Sequence, residues 1–86
     1  MPTLTFGDAL VALKEGKKVT RSGWNGKNMY LELQRPDENS KMTFPYIYMV
    51  IPYQHEREVG VDYKDNLVPW LASQTDMLAE DWELVE

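Results

Sequence analysis

Residues 19–34 read VTRSGWNGKNMYLELQ, and this stretch decides the fold. From Asn28 to Gln34 the side chains alternate, with Met29, Leu31 and Leu33 on one face and Asn28, Tyr30, Glu32 and Gln34 on the other. That is the pattern of a strand with one face buried. Asn25-Gly26 precedes it, a strong short hairpin signal because both positions accept φ > 0. Val19 to Trp24 can be extended, so residues 19–34 are expected to form a β-hairpin turning at Asn25-Gly26.

Toward the N-terminus, Phe6, Ala9, Leu10 and Leu13 recur at helical i, i+3, i+4, i+7 spacing. Thr5 and Asp8 make a capping box, with Asp in the place usually held by Glu. Gly16 suits the position just past a helix end. Lys14, Lys17 and Lys18 gather where cations favour the helix dipole. A short amphipathic helix over 6–15 is predicted. Toward the C-terminus, residues 35–45 (RPDENSKMTFP) read as a loop. Residues 46–51 (YIYMVI) read as a strand apolar on both faces, ended by Pro52. A short strand near 59–63 and a turn at 64–66 follow. Pro69 marks LVPWL, residues 67–71, as an edge strand or irregular segment. Residues 72–80 suit a short helix with Ser73 as N-cap and Asp76 completing a second capping box. Residues 81–85 are expected as a last strand with Trp82 and Leu84 inward. The expected fold class is α+β: a small antiparallel β-sheet domain, 1–86, with an N-terminal amphipathic helix and a short C-terminal helical segment.

At 86 residues the chain is one domain at most. A chain this short buries only about 60–65% of its unfolded surface, so its core is thin. Disulfides or a metal commonly offset that, but there is no cysteine and only one histidine, His55. Zinc takes about four N/S ligands, so a zinc site is not expected. Self-association is the remaining support, with the second face of YIYMVI as a candidate contact. No apolar run approaches the ~18 residues of a membrane span and no signal peptide is evident. A soluble intracellular protein is expected.

The formal net charge is −5, unevenly spread. Residues 1–35 carry six basic and three acidic side chains, whereas residues 36–86 carry three basic and eleven acidic ones. Neighbouring segments of opposite sign can simply compensate in the fold. Polymeric nucleic acid is disfavoured, because its binding grows with the number of phosphates neutralised. A small anion needs only one or two cations.

No cysteine nucleophile, H-E-x-x-H, P-loop or G-x-G-x-x-G is present, and His55 lies in the charged run QHERE. Two constellations stand out. In residues 21–27, RSGWNGK, Arg21 and Lys27 flank Trp24, Asn25 and two glycines. A flat indole can stack on a base, worth about 1–3 kcal/mol. The cations can donate to phosphate. The competing explanation is a hairpin with a core tryptophan. In residues 68–77, VPWLASQTDM, Trp70 precedes Ser73, Gln74, Thr75 and Asp76. These side chains can bond ribose hydroxyls or base edges. The competing explanation is a helix cap beside a second core tryptophan. Trp82, with acidic neighbours, is assigned to the core.

The blocks FGDALVALKEGKKVTRSGWNGK, MYLELQ and VPWLASQTDMLAEDWELV closely resemble, in order, the phage Thoeris anti-defence family, second type. The middle, 53–67, departs from that pattern. The resemblance implies a binding protein without catalytic residues or cofactor. It implies sequestration of a cyclic ADP-ribose signal, glycocyclic ADP-ribose being the leading form, made by a TIR-domain sensor. It also implies a homotetramer acting in the host bacterial cytoplasm, with cyclic oligonucleotide signals as further ligands of some relatives. Carried over residue by residue, it points to Trp24, Asn25, Trp70, Ser73, Gln74, Thr75 and Asp76, with Arg21 and Lys27 added as candidates for the pyrophosphate. Two other classes compete: a small enzyme degrading the same nucleotide, and a structural interaction module with the tryptophans as core.

Overall fold

The computed structural model describes residues 3–24, 28–52 and 65–85. Helix α1 spans Phe6–Lys14, opened by the reciprocal Thr5–Asp8 capping box. It closes as the sequence predicts. Gly16 takes φ of 87°. The Gly16 N–H bonds the Leu13 carbonyl and the Lys17 N–H bonds the Ala12 carbonyl, both at 3.0 Å. This is the Schellman arrangement, which satisfies carbonyls the helix end would otherwise leave unpaired.

Among the described residues five strands follow: β1 Lys18–Arg21, β2 Tyr30–Gln34, β3 Tyr46–Ile51, β4 Asn66–Pro69 and, after helix α2 (Gln74–Leu78), β5 Trp82–Val85. They form one sheet in the order β4-β3-β2-β1-β5, with every pairing antiparallel. β1 to β4 is a meander. The chain then crosses from one edge to the other so that β5 closes against β1. Pro69 lies on edge strand β4, where a missing N–H costs least.

The β1–β2 register pairs Val19 with Leu31. A two-residue turn at Asn25-Gly26 would instead set Val19 opposite Glu32. A one-residue slip sends a whole strand to the wrong face, so burial of Val19 and Leu31, both 0% exposed, sets the register. The strands stop at Arg21 and resume at Tyr30. Asn25-Gly26 itself lies outside the described residues, as does the strand expected near 59–63. Asn66, expected in a turn, begins β4, and α2 is shorter than the 72–80 predicted.

α1 lies on one face of the sheet. Ala9, Ala12 and Leu13 pack there with Val19, Leu31 and Trp82 to form the core. Full burial of a Leu or Val side chain stabilises by about 1.5–3 kcal/mol, so these few positions dominate a small fold. Trp82 is fully buried and donates its indole N–H to the Asp76 carbonyl at 3.1 Å. Leu84 departs from expectation. The register sets it opposite Val19, but β5 is an edge strand and Leu84 stays 44% exposed. On the other face, Lys18 pairs with Glu32 at 3.8 Å and lies 4.9 Å from the Tyr30 ring centre. Glu32 also accepts a hydrogen bond from the Tyr48 hydroxyl. That bond, aided by burial, pushes the Tyr48 pKa up to about 12.

Candidate functional site

The end of β1 and the α2–β5 segment meet at one corner of the sheet, because Arg21 is paired with Trp82 in register. This pairing brings the two blocks singled out in the sequence together. Arg21 Nη1 lies 2.7 Å from Asp76 Oδ1, and Arg21 Nε lies 2.8 Å from Asp81 Oδ1. Trp24 Nε1 donates to Asp76 Oδ1 at 3.3 Å.

Asp76 is only 8% exposed. Its Oδ2 accepts from the Ser73 N–H at 3.0 Å and the Ser73 hydroxyl at 2.8 Å. Ser73 Oγ accepts in turn from the Asp76 N–H. Burial alone would raise the Asp76 pKa. The Ser73 N–H, Arg21, the Ser73 hydroxyl and Trp24 together outweigh it and hold the carboxyl below its usual range. Asp81 is also held low, first by the Arg21 hydrogen bond, with the Gly23 N–H contributing. Arg21 is pushed above its ordinary value by the same bonds, Asp81 first and Asp76 second.

Among the described residues, three aromatic side chains surround Trp82. Ring centres are 5.5 Å apart for Trp24–Trp82, 6.1 Å for Trp70–Trp82 and 5.6 Å for Phe6–Trp82. Trp24 and Trp70 are 6.4 Å apart with planes inclined at 58°. Both pack against the core while remaining partly exposed. Each tryptophan lines a hollow of its own. One of about 370 Å³ is lined by Arg21, Ser22, Trp24, Asn28 and Tyr30 among others. Another of about 580 Å³ is lined by Trp70, Phe6, Leu10, Phe44 and Ile47, and by Lys14 and Arg35 among others. The larger is within the range of small-molecule sites, about 300–1,000 Å³.

Of the residues selected from sequence, Arg21, Trp24, Trp70, Ser73 and Asp76 converge at this corner. Gln74 and Thr75 are exposed on α2, with Thr75 Oγ1 2.8 Å from Ser73 Oγ. Asn25 and Lys27 lie outside the described residues. Among the described residues, no group of acidic or histidine side chains could hold a metal ion. No helix there is long and apolar enough to cross a membrane. Asp81 belongs to the corner and was not singled out. Its signal was the acidic closing segment set against a basic opening one, which does not say which acid meets which base.

The sequence model described as the Thoeris anti-defense 2-like domain matches residues 4–85. A protein of Bacillus phage SP01 named Thoeris anti-defense 2 is 42% identical over 84 residues, which is 95% of this chain and 94% of that one. The family match runs from just before the capped α1 to the end of β5 and so takes in both halves of the corner; the chain belongs to the Thoeris anti-defense 2-like family.

Proposed function

We propose that the protein is a phage sponge. It binds a cyclic ADP-ribose-type signal made by a TIR-domain sensor in the host cytoplasm and holds it uncleaved, so the Thoeris effector is not activated. Family membership supports the anti-defence role. The observation that carries the finer reading is the convergence of Trp24 and Trp70, 6.4 Å apart and each partly exposed beside a hollow. Trp24 and Trp70 offer ring surface to the adenine. Arg21 bonds its two carboxylates through Nε and Nη1, so its Nη2 edge, together with Lys27, serves the pyrophosphate. Asn25, Ser73, Gln74 and Thr75 read ribose hydroxyls or base edges. Both Asp76 oxygens already accept bonds, so a ligand hydroxyl would have to replace one of those donors.

A sponge works by mass action, and nanomolar affinity corresponds to about −12 kcal/mol. Stacking and charge-assisted bonds in a preformed site can supply that order of free energy. A homotetramer is part of this proposal, as the support a thin core requires. Cyclic oligonucleotides are the alternative ligands.

The test is a release assay. The protein is mixed with glycocyclic ADP-ribose or a cyclic di- or trinucleotide, filtered, heated, and the freed nucleotide identified by mass. Intact ligand supports sequestration; a linear or hydrolysed product would point to an enzyme. The packing of both tryptophans against Trp82 favours one competing reading, a purely structural module. That reading expects no thermal stabilisation by any cyclic nucleotide and unfolding of Trp24→Ala and Trp70→Ala.

A further inference from the structure

We propose that Asp81 is a positioning residue that holds Trp24 in place for its ligand; this rests on the reading of Trp24 as a ligand contact. One carboxylate spans three consecutive residues, from Arg21 at the end of β1 into the turn that follows. Its Oδ1 accepts from Arg21 Nε at 2.8 Å. Its Oδ2 accepts from the Gly23 N–H at 2.9 Å and, more weakly, from the Ser22 hydroxyl at 3.4 Å. The Asp81 carbonyl accepts the Ser22 N–H at 3.2 Å, and the Trp24 N–H closes the turn on the Arg21 carbonyl at 3.2 Å. Asp81 is therefore attached to every residue between the end of β1 and Trp24.

Gly23 is part of the same device. A Cβ added there would stand 2.8 Å from Asp81 Oδ2, closer than side chains tolerate. Glycine at this position lets the carboxylate reach the backbone. Asp81 keeps 29% of its side-chain surface exposed, so it fills no core space. Its effect runs through hydrogen bonds to the turn, a role separate from that of Asp76, which bonds the Trp24 indole itself.

The test compares Asp81→Asn, Asp81→Ala, Gly23→Ala and the Gly23→Ala/Asp81→Ala double variant. The probes are glycocyclic ADP-ribose affinity and the indole N–H resonance of Trp24. Asp81→Ala should keep the native circular dichroism and the Trp82 indole resonance, move the Trp24 resonance, and weaken the nucleotide at least tenfold. Gly23→Ala should reproduce that defect when Asp81 is present and add nothing once Asp81 is gone, because its clash is with the Asp81 carboxylate. Unchanged Trp24 resonance and affinity in Asp81→Ala would overturn the proposal, as would full additivity in the double variant. If Asp81→Ala does not fold, Asp81→Asn and Gly23→Ala decide by the same two readouts. If the unmodified protein fails to retain the nucleotide, the ligand reading falls, and the Trp24 resonance alone decides the positioning claim.

Discussion

Arg21 Nη1 and Asp76 Oδ1 stand 2.7 Å apart although 55 residues separate them in sequence. Their side chains are only 17% and 12% exposed. Asp76 bonds Arg21 and Trp24 with one carboxylate oxygen and caps α2 with the other. A single side chain thus joins the two segments proposed to face the ligand.

Removing that carboxylate should be costly. Breaking one partner out of a largely buried ion pair typically costs about 3–5 kcal/mol. Loss of an N-terminal capping contact adds about 1 kcal/mol. Asp76→Ala is therefore expected to lower the urea midpoint severely, and Asp76→Asn less, because it keeps the shape and some of the bonds. A loss under about 1 kcal/mol in Asp76→Ala would contradict this account of the corner.

Acid should weaken the fold through the same residues. Asp76 and Asp81 both have folded pKa values below the usual carboxylate range. A depressed folded pKa contributes stability that is complete above the unfolded value, about 3.9, and is lost as pH falls through the folded one. Unfolding free energy should therefore decline as the pH drops below about 4. Asp76→Asn should flatten that decline, as measured by urea titrations across the acid range.

Alkali should act on the opposite face. Tyr48 bonds Glu32 and has its pKa raised to about 12. A raised folded pKa contributes stability that is present below the unfolded value, about 10, and is lost as pH rises through the folded one. Tyr48→Phe should lose part of the stability at neutral pH and also lose the decline between pH 10 and about 12. Spectrophotometric titration of the tyrosinate band, with unfolding at each pH, checks both.

Trp82 should divide from the other two tryptophans. It is fully buried and its N–H is used by the Asp76 carbonyl. Trp82→Ala is expected to cost about 3–5 kcal/mol. Trp82→Phe should cost less, keeping much of the volume but losing the hydrogen bond. Trp24→Ala and Trp70→Ala, removing partly exposed rings, should cost less stability than Trp82→Ala while weakening the nucleotide. Thermal melts of the three alanine variants, with and without glycocyclic ADP-ribose, separate the effects.

Local physics was legible in the chain. The alternation of Met29, Leu31 and Leu33 announced β2. The pairs Thr5–Asp8 and Ser73–Asp76 announced both helix starts, and Gly16 announced the end of α1. Each depends on residues within one turn or strand, so the sequence alone contains the interaction. Family membership was legible for a related reason, because long ordered blocks carry it.

Only the tertiary structure decided what depends on contacts across the chain. Asn25-Gly26 suggested a tight turn, yet burial of Val19 against Leu31 chose the register. Leu84 alternates correctly but sits on an edge strand, so it stays exposed. Above all, the strand order β4-β3-β2-β1-β5 returns the last strand to β1 and sets Asp76 and Asp81 around Arg21. A charge count shows that bases precede acids; it cannot say which acid meets which base. That pairing follows from where Trp82 is buried, because the strand that carries Trp82 into the core brings Asp81 to the end of β1.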